Sequence, residues 1–407
     1  MNCRHCGTSL AHTLLDLGFA PPSNAYLRAS DLKRPELYFP LKVKVCDYCW
    51  LVQTEDCASA DALFTDEYAY FSSTSQSWLQ HAERYAETMI SELQLSKESF
   101  VIEIASNDGY LLKNFVAAGI PCLGIEPTGS TADEAEKLGV PVLREFFGGA
   151  LGKQLAQKGQ QADLIAGNNV YAHVPDINDF TKGLKAALKP NGIITLEFPH
   201  LMRLVEQTQF DTVYHEHFSY LSLTVVQRIF DSVELRVWHV EELPTHGGSL
   251  RVFGCHQSDP RGTEPSVDEL IQRELAFGLC DLETYLKFQL DADRIKNNLL
   301  SFLIEKKVNR KRVVGYGAAA KGNTLLNYAG VKSDLLPVIF DAATAKQGKF
   351  MPGSHIPILS PEHLSAETAD YVLILPWNIA DEVVERNACL ATAGVKFVTA
   401  VPAFVIL

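Results

Sequence analysis

The chain has no apolar run that approaches the ~20 residues needed to cross a bilayer. Its first ten residues, MNCRHCGTSL, lack the basic and apolar blocks of a secretory leader, so a cytoplasmic protein is expected. Cysteine is scarce: nine in 407 residues is too few for a disulfide scaffold. Low-complexity segments and repeats of fixed period are absent. Positive charge is the minority sign, with 36 Lys and Arg against 49 Asp and Glu and a net charge of −13. That balance excludes a nucleic-acid or membrane-surface binder, whose affinity needs basic patches, yet leaves room for a local basic pocket that takes a phosphate.

Hydrophobic residues make up 47% and charged residues 21%, the balance of a soluble globular protein rather than a disordered one. At ~100–200 residues per domain the length allows two to four domains. Three blocks are expected: 1–65, 66–260 and 261–407. The first holds two CxxC pairs, several prolines and no long helical pattern. The second opens on a helical stretch, SWLQHAERYAETMISELQL, and then alternates strand-like segments (100–104, 122–125, 163–166, 192–198) with helical ones (110–118, 180–188). Such alternation predicts a parallel, doubly wound α/β sheet. A linker rich in Asp, Pro and Gly, QSDPRGTEP, precedes one or two helices over 266–310. A second α/β unit follows, with strands expected at 311–315, 337–340, 371–375 and 395–399 and a helix at 323–329.

Cys3 and Cys6 form one knuckle, Cys46 and Cys49 another. Two such turns present four thiolates to one zinc ion, and four thiolates leave no open coordination position, so the metal would be structural. A block of ~65 residues has little apolar burial of its own and gains from such a staple. His5 and His12 are rival ligands, and one redox CxxC is the alternative chemistry. Cys57, Cys122, Cys255, Cys280 and Cys389 read as small core residues.

The segment FVIEIASNDGYLLKNF is a buried strand, a turn and a helix. Its turn, Glu103 to Gly109, resembles motif I of the class I S-adenosylmethionine-dependent methyltransferases, (D/E)xGxGxG. Ala105 and Asn107 stand where the first two glycines would be, with Ser106 between them, and Gly109 remains. Asn tolerates left-handed backbone angles. Glu126 ends the next strand, 23 residues after Glu103, where an acid accepts hydrogen bonds from both ribose hydroxyls of a nucleoside cofactor. Asn168 and Asn169 close a third strand and His173 lies beyond them; ligands of this architecture sit at the carboxyl ends of the strands. An NAD site is the rival reading, but the turn lacks GxGxxG.

Tyr214-His215-Glu216-His217-Phe218-Ser219-Tyr220 packs two histidines, a carboxylate and two tyrosines into seven residues. A helix is expected to restart behind it with Ser222 as N-cap. A sulfonium methyl is already electrophilic, so the enzyme must supply a nucleophile. A carbon nucleophile needs a proton removed beside a carbonyl, a task suited to histidine, and a donor for the enolate oxygen, suited to tyrosine or a second histidine. Glu216 would orient a histidine or hold a sugar hydroxyl. For Glu216 and His217 to face one substrate the backbone must turn between them. A metal site is the alternative, but the HExxH spacing is absent.

In the last block, Gly315-Tyr316-Gly317 to Lys321-Gly322-Asn323 is a strand, a Gly-rich turn and a helix start. Backbone N–H groups there suit a diphosphate, and Lys321 adds charge. Asp341, 24 residues after Gly317, is placed to face that turn or to cap. In THGGSLRVF, His246, Gly247 and Gly248 allow close backbone approach to a ligand, and Arg251 is open to a phosphate or a surface role.

The cysteine knuckles, EIASNDGYLL, NNVYAHVPD, YHEHFSY, THGGSLRVF and GYGAAAKGNTLLN occur in that order. Over essentially its whole length the chain resembles the nucleotide-sugar C-methyltransferases. The resemblance implies an N-terminal zinc-binding domain, a class I methyltransferase (Rossmann-like) domain and a C-terminal Rossmann-like α/β domain contributing to a sugar-nucleotide site. It implies methylation at C3 of a 4-keto-6-deoxy sugar on a nucleoside diphosphate, with S-adenosylmethionine as donor. It places the base on His217, with Tyr214 and Glu216 beside it, and Tyr214 or His215 would stabilise the enolate oxygen. The motif I-like turn and the strand ends assign the cofactor to Glu103, Ala105, Ser106, Asn107, Gly109, Glu126, Asn168 and Asn169. The substrate falls to His173, His246, Gly247, Gly248, Arg251, Tyr316, Lys321 and Asn323. Methylation at C5 or another sugar carbon, a nicotinamide-dependent oxidoreductase or epimerase, and a non-catalytic zinc-bearing binding protein are the rivals. A monomer is expected.

Overall fold

A computed structural model of the chain describes residues 1–55 and 72–407. Cys57 and the boundary expected at 65/66 lie outside them. Near the N-terminus, β1 (His12–Ala20), β2 (Phe39–Val45) and β3 (Val52–Thr54) make an antiparallel meander. In β2, Leu41, Val43 and Val45 are buried while Lys42 and Lys44 between them are only half-buried, the period-2 alternation of a one-sided sheet. The sheet's fourth strand comes from far along the chain: Ser219 and Tyr220, in the His-rich segment, pair antiparallel with Gln53 and Val52.

The middle sheet contains β4 (Val101–Ile104), β5 (Cys122–Ile125), β6 (Val142–Leu143), β7 (Ala162–Asn168) and β8 (Leu188–Pro199), all parallel. The short strand Ser219–Tyr220 is β9. Then β10 (Leu235–Leu243) and β11 (Ser249–His256) join the middle sheet antiparallel beyond β8. All four residues of β4 are buried because helices cover both faces, among them Gln76–Glu92 and Ile177–Ala187. The order is β10-β11-β8-β7-β4-β5-β6. Its direction of winding reverses between β4 and β7, so the turns that follow these two strands open a crevice at their carboxyl ends. Ser222 caps helix Leu223–Asp231 by accepting the Val225 N–H, as expected.

The third sheet runs β14-β13-β12-β15-β16-β17: β12 (Val313–Tyr316), β13 (Ile339–Phe340), β14 (Ile358–Leu359), β15 (Tyr371–Ile374), β16 (Lys396–Thr399) and β17 (Val405–Ile406), parallel except for β17. Its winding reverses between β12 and β15. Where one or two helices were expected over 266–310 there are three: Pro265–Phe277, Leu282–Leu286 and Phe288–Val308. Gly278 at φ 94° ends the first, and Asp281 caps the second. Val267 and Leu270 of the first helix pack into the middle core. Leu299 and Leu303 of the third belong to a core shared with Leu15 and Val43 of the N-terminal sheet, Phe210 and Val213 of the middle block, and Leu325 and Ile339 of the last. One apolar core thus joins the N-terminal sheet, the connection that follows β8 and the C-terminal sheet.

Candidate active site

The four knuckle cysteines converge. Their Sγ atoms all lie within 4.8 Å of one another, with Cys3–Cys49 at 3.4 Å and Cys6–Cys46 at 3.5 Å. A tetrahedral zinc with Zn–S ~2.3 Å separates its sulfurs by ~3.8 Å, so the donor set fits a four-thiolate ion. A hydrogen bond from the Cys49 thiol pulls Cys3 down to about 4, toward the thiolate that a metal binds. The rival ligands face elsewhere: His5 Nδ1 meets Asn178 Oδ1 at 2.8 Å, and His12 Nε2 meets Asp47 Oδ2 at 3.3 Å.

At the crevice of the middle sheet, Ala105 (φ 56°), Asn107 (φ 50°) and Gly109 (φ 77°) are all left-handed. The backbone keeps the path of a three-glycine loop although only one glycine is present. Gly109 is favoured on space as well, because a Cβ there would stand 3.1 Å from Ala135 Cα and press it aside. Glu126 holds the turn: Oε2 accepts the Asn107 N–H at 3.0 Å and Oε1 the Thr128 N–H at 2.8 Å. Glu103 is fully buried, and burial pushes its carboxyl well up. Asn168 Nδ2 lies 3.5 Å from the Tyr110 hydroxyl. Ser106 Oγ, Asp108 Oδ1 and Asn168 Oδ1 are buried without a hydrogen-bond partner among the described residues. Buried polar atoms in this state are what a polar ligand satisfies, so the crevice fits an adenosyl amino acid.

The His-rich segment turns where the sequence required it to. The His217 N–H donates to Tyr214 O at 3.0 Å, so residues 215 and 216 form the tip of the turn, and the Phe218 N–H donates to Ala172 O just beyond β7. His217 Nδ1 lies 3.0 Å from Thr212 O. A carbonyl can only accept, so Nδ1 carries the proton and Nε2 the lone pair. The Tyr214 ring centroid lies 4.0 Å from that of His217, and His173 meets it edge-on at 4.6 Å. Burial, with the charges of His173 and His246 nearby, holds His217 well below its usual pKa; burial likewise lowers His173 and His246 to about 4. The imidazole is therefore neutral at pH 7, with the Nε2 lone pair open to accept a proton. Glu216 is gripped by Asn24, whose Nδ2 donates to both carboxylate oxygens at 2.8 and 2.9 Å.

Several expected residues converge on this centre and others do not. Asn169 Nδ2 donates to His246 Nε2 at 3.2 Å, and the Trp78 ring lies 5.3 Å from His246. Gly247 packs against Trp377, where a Cβ would clash with the indole. Gly248 packs against the Arg203 side chain. Lys321 is half-buried between Asn378 Oδ1 (2.7 Å) and the Trp377 ring (4.5 Å), and its charge reaches His217 and His246. His215 instead turns toward the N-terminal sheet and donates from Nε2 to Phe39 O at 3.3 Å. Arg251 is buried between Glu197 and Glu241, at 3.0 Å from each, so its charge is already spent inside the middle block. Tyr316 lies in the C-terminal core. Asn323 is buried and accepts from Asn327 Nδ2. The Gly-rich turn that was to cradle a diphosphate is satisfied from within. The Gly317 N–H donates to Phe340 O, the Ala319 N–H to Gly317 O, and the Ala318 N–H to Asp341 Oδ2 at 2.6 Å. Asp341 thus faces the turn.

Sequence reading missed Asn24, Thr54, Trp78, Asp211 and Trp377. Trp377 follows the carboxyl end of β15, a position that the doubly wound rule flags; the others carry no local signal.

Residues 3–64 match a family model described as a zinc binding domain, residues 78–240 a methyltransferase domain, and residues 244–402 a C-methyltransferase C-terminal domain. The chain is 33% identical to C-methyltransferase NovU of Streptomyces niveus over 400 residues, 98% of this chain and 95% of that one. Among solved structures, the PH0226 protein of Pyrococcus horikoshii OT3 overlaps 46% of this chain and 95% of its own (13% identity, TM-score 0.39). The magnesium protoporphyrin IX methyltransferase of Synechocystis PCC 6803, solved with bound S-adenosylmethionine, overlaps 44% of this chain and 79% of its own (13% identity, TM-score 0.33). With matching models along its length and a relative aligned nearly end to end, the chain belongs to the C-methyltransferase family, as an S-adenosylmethionine-dependent enzyme with a zinc-binding N-terminal domain.

Proposed function

We propose that the chain methylates a carbon beside the keto group of a nucleoside-diphosphate sugar, with C3 of a 4-keto-6-deoxy sugar as the acceptor. The observation that carries this reading is the His217 ring, with its Nδ1 proton committed to Thr212 O and the Tyr214 ring tilted against it at 4.0 Å. His217 Nε2 takes the proton from the acidic carbon, and the electron pair left behind delocalises onto the carbonyl oxygen, where the Tyr214 hydroxyl donates. S-adenosylmethionine, when bound, supplies a methyl carbon whose bond to sulfur breaks with its electron pair going to sulfur, so the acceptor carbon gains the methyl and the carbonyl re-forms. His217 retains the proton until it passes to solvent.

Glu103, the turn 105–109, Glu126, Asn168 and Asn169 are the residues that would hold the donor. An ammonium group brought against Glu103 offsets the burial that now disfavours its charge. His246 and Lys321 face the same centre, and Lys321 supplies the partly desolvated cation that a diphosphate needs. Glu216, held rigid by Asn24, suits a sugar hydroxyl. Incubation with S-adenosylmethionine and a panel of keto-sugar nucleotides tests the reading. The expected product carries one extra methyl on the carbon next to the ketone, located by NMR; methylation at oxygen, or none across the panel, would refute it.

A further inference from the structure

We propose that Arg4 is a positioning residue for the catalytic turn, and that through it the placement of His217 depends on the four-cysteine metal site. The inference rests on the reading of His217 as the base.

Arg4 lies inside the first knuckle, between Cys3 and Cys6, so a bound metal fixes its backbone. Its N–H donates to Gln53 Oε1 at 2.9 Å, and Gln53 Nε2 donates back to Cys3 Sγ at 3.3 Å. That second bond is strongest to a thiolate, the form a metal enforces. The side chain then leaves the knuckle for the active centre. Arg4 Nη1 donates to Phe218 O at 2.8 Å and to Thr54 O at 2.9 Å, and the guanidinium carbon sits 5.3 Å from the Phe218 ring centroid. Thr54 in turn donates its hydroxyl to His217 O at 3.1 Å, and its N–H reaches Phe218 O at 3.2 Å. The carbonyls of His217 and Phe218 are thus both held by the metal-bearing domain. Strand β9, which follows them directly, completes that domain's sheet.

A general base must meet its proton within hydrogen-bond reach, and a shift of about 1 Å costs on the order of 100-fold in rate. Releasing Arg4 frees the C-terminal flank of the turn. The cofactor crevice, built on β4, β5 and β7, is left as it is. The metal site is therefore more than a staple for a small domain: it carries the far wall of the base.

The test is Arg4→Met in the zinc-loaded full chain, with four readouts: zinc per chain, S-adenosylmethionine Kd, the split between kcat and KM, and backbone hydrogen exchange over residues 214–220. The expected result is unchanged zinc content, Kd within about twofold, kcat lowered about tenfold or more, and exchange over 214–220 faster by about tenfold. Arg4→Lys, which keeps one donor, should recover part of kcat. Chelation of zinc from the wild type should produce the same exchange change in the same peptides. If Arg4→Met fails to load zinc, Thr54→Val, outside the knuckle, is read in its place for the same loss of kcat and protection. Wild-type kcat and wild-type exchange in the variant that is read overturn the proposal. His217→Gln measured alongside separates the two claims: turnover in that variant refutes the base, whereas the exchange result refutes or supports the role of Arg4 on its own.

Discussion

Trp377 donates its indole N–H to Asp211 Oδ2 at 2.7 Å, tying the carboxyl end of β15 to the turn that leads into the His-rich segment. Asp211 is fully buried. Replacing Trp377 with Phe removes the donor and keeps the ring, so the variant should lose about 1–3 kcal/mol of stability, measured by urea unfolding. An unchanged midpoint would mean that the seam between these blocks relies on packing alone.

Asp211 also carries a pH signature. Burial raises its pKa from 3.8 to about 6, opposed by Lys321 and the Trp377 bond. A raised acid binds more protons folded than unfolded, so its contribution is fully present below pH 3.8 and is lost as pH rises to about 6. Asp211→Asn should therefore gain stability relative to wild type between pH 4 and pH 7, by on the order of 1–3 kcal/mol, in unfolding curves taken at the two pH values.

The histidines have the opposite sign. His217, His173 and His246 are held below 6.5, first by burial. The unfolded chain takes up protons below pH 6.5 that the folded chain refuses, so stability from these groups falls as pH drops through the window from 6.5 to about 4. Because the base is already neutral there, the acid limb of kcat/KM should lie below pH 6.5, and a limb at or above 6.5 would contradict the assignment. His217→Gln should lower turnover by about 10²–10⁴-fold with the S-adenosylmethionine Kd within about twofold.

The cofactor turn makes a prediction about strain. Ala105 sits at φ 56°, where a Cβ costs roughly 1–2 kcal/mol. Ala105→Gly should relieve that cost and raise the thermal midpoint. Gly109→Ala should do the reverse by about 1–3 kcal/mol, since its Cβ would press on Ala135 as well. Calorimetry on the two variants checks both signs.

Glu274 is buried and accepts from the Leu223 N–H (2.7 Å), the Thr224 N–H (2.8 Å) and hydroxyl (2.6 Å), while His200 Nε2 lies 2.8 Å from the same carboxylate. One side chain therefore fastens helix Pro265–Phe277 to the N-terminus of helix Leu223–Asp231. Glu274→Ala strands all these donors and should cost about 3–5 kcal/mol, seen as a lowered urea midpoint.

Much of this was legible in the chain because it is local. CxxC spacing bends a knuckle whatever surrounds it, and the four thiols met as expected. Asn at a left-handed position, an acid at a strand end and Ser222 before an apolar helix each state their geometry within a few residues. The break at Gly278 was missed because the apolar pattern runs on either side of it. His215 and Arg251 were drawn toward substrate because their chemistry suits it. Nothing in sequence tells an imidazole that Phe39 O lies in reach, or a guanidinium that Glu197 and Glu241 flank it.

From its residues alone the chain set the knuckles, the two α/β units, the left-handed cofactor turn and the density of titrating groups in YHEHFSY, since each depends on backbone preferences and periodicity over short spans. The tertiary structure alone decided which nitrogen of His217 is basic, that Asn24 grips Glu216, that Arg4 reaches Phe218, and that Asp341 fills the Gly-rich turn. Asn24–Glu216 and Arg4–Phe218 join residues 192 and 214 positions apart. Contacts at that separation are chosen by how the three blocks pack against one another, and no local pattern encodes them.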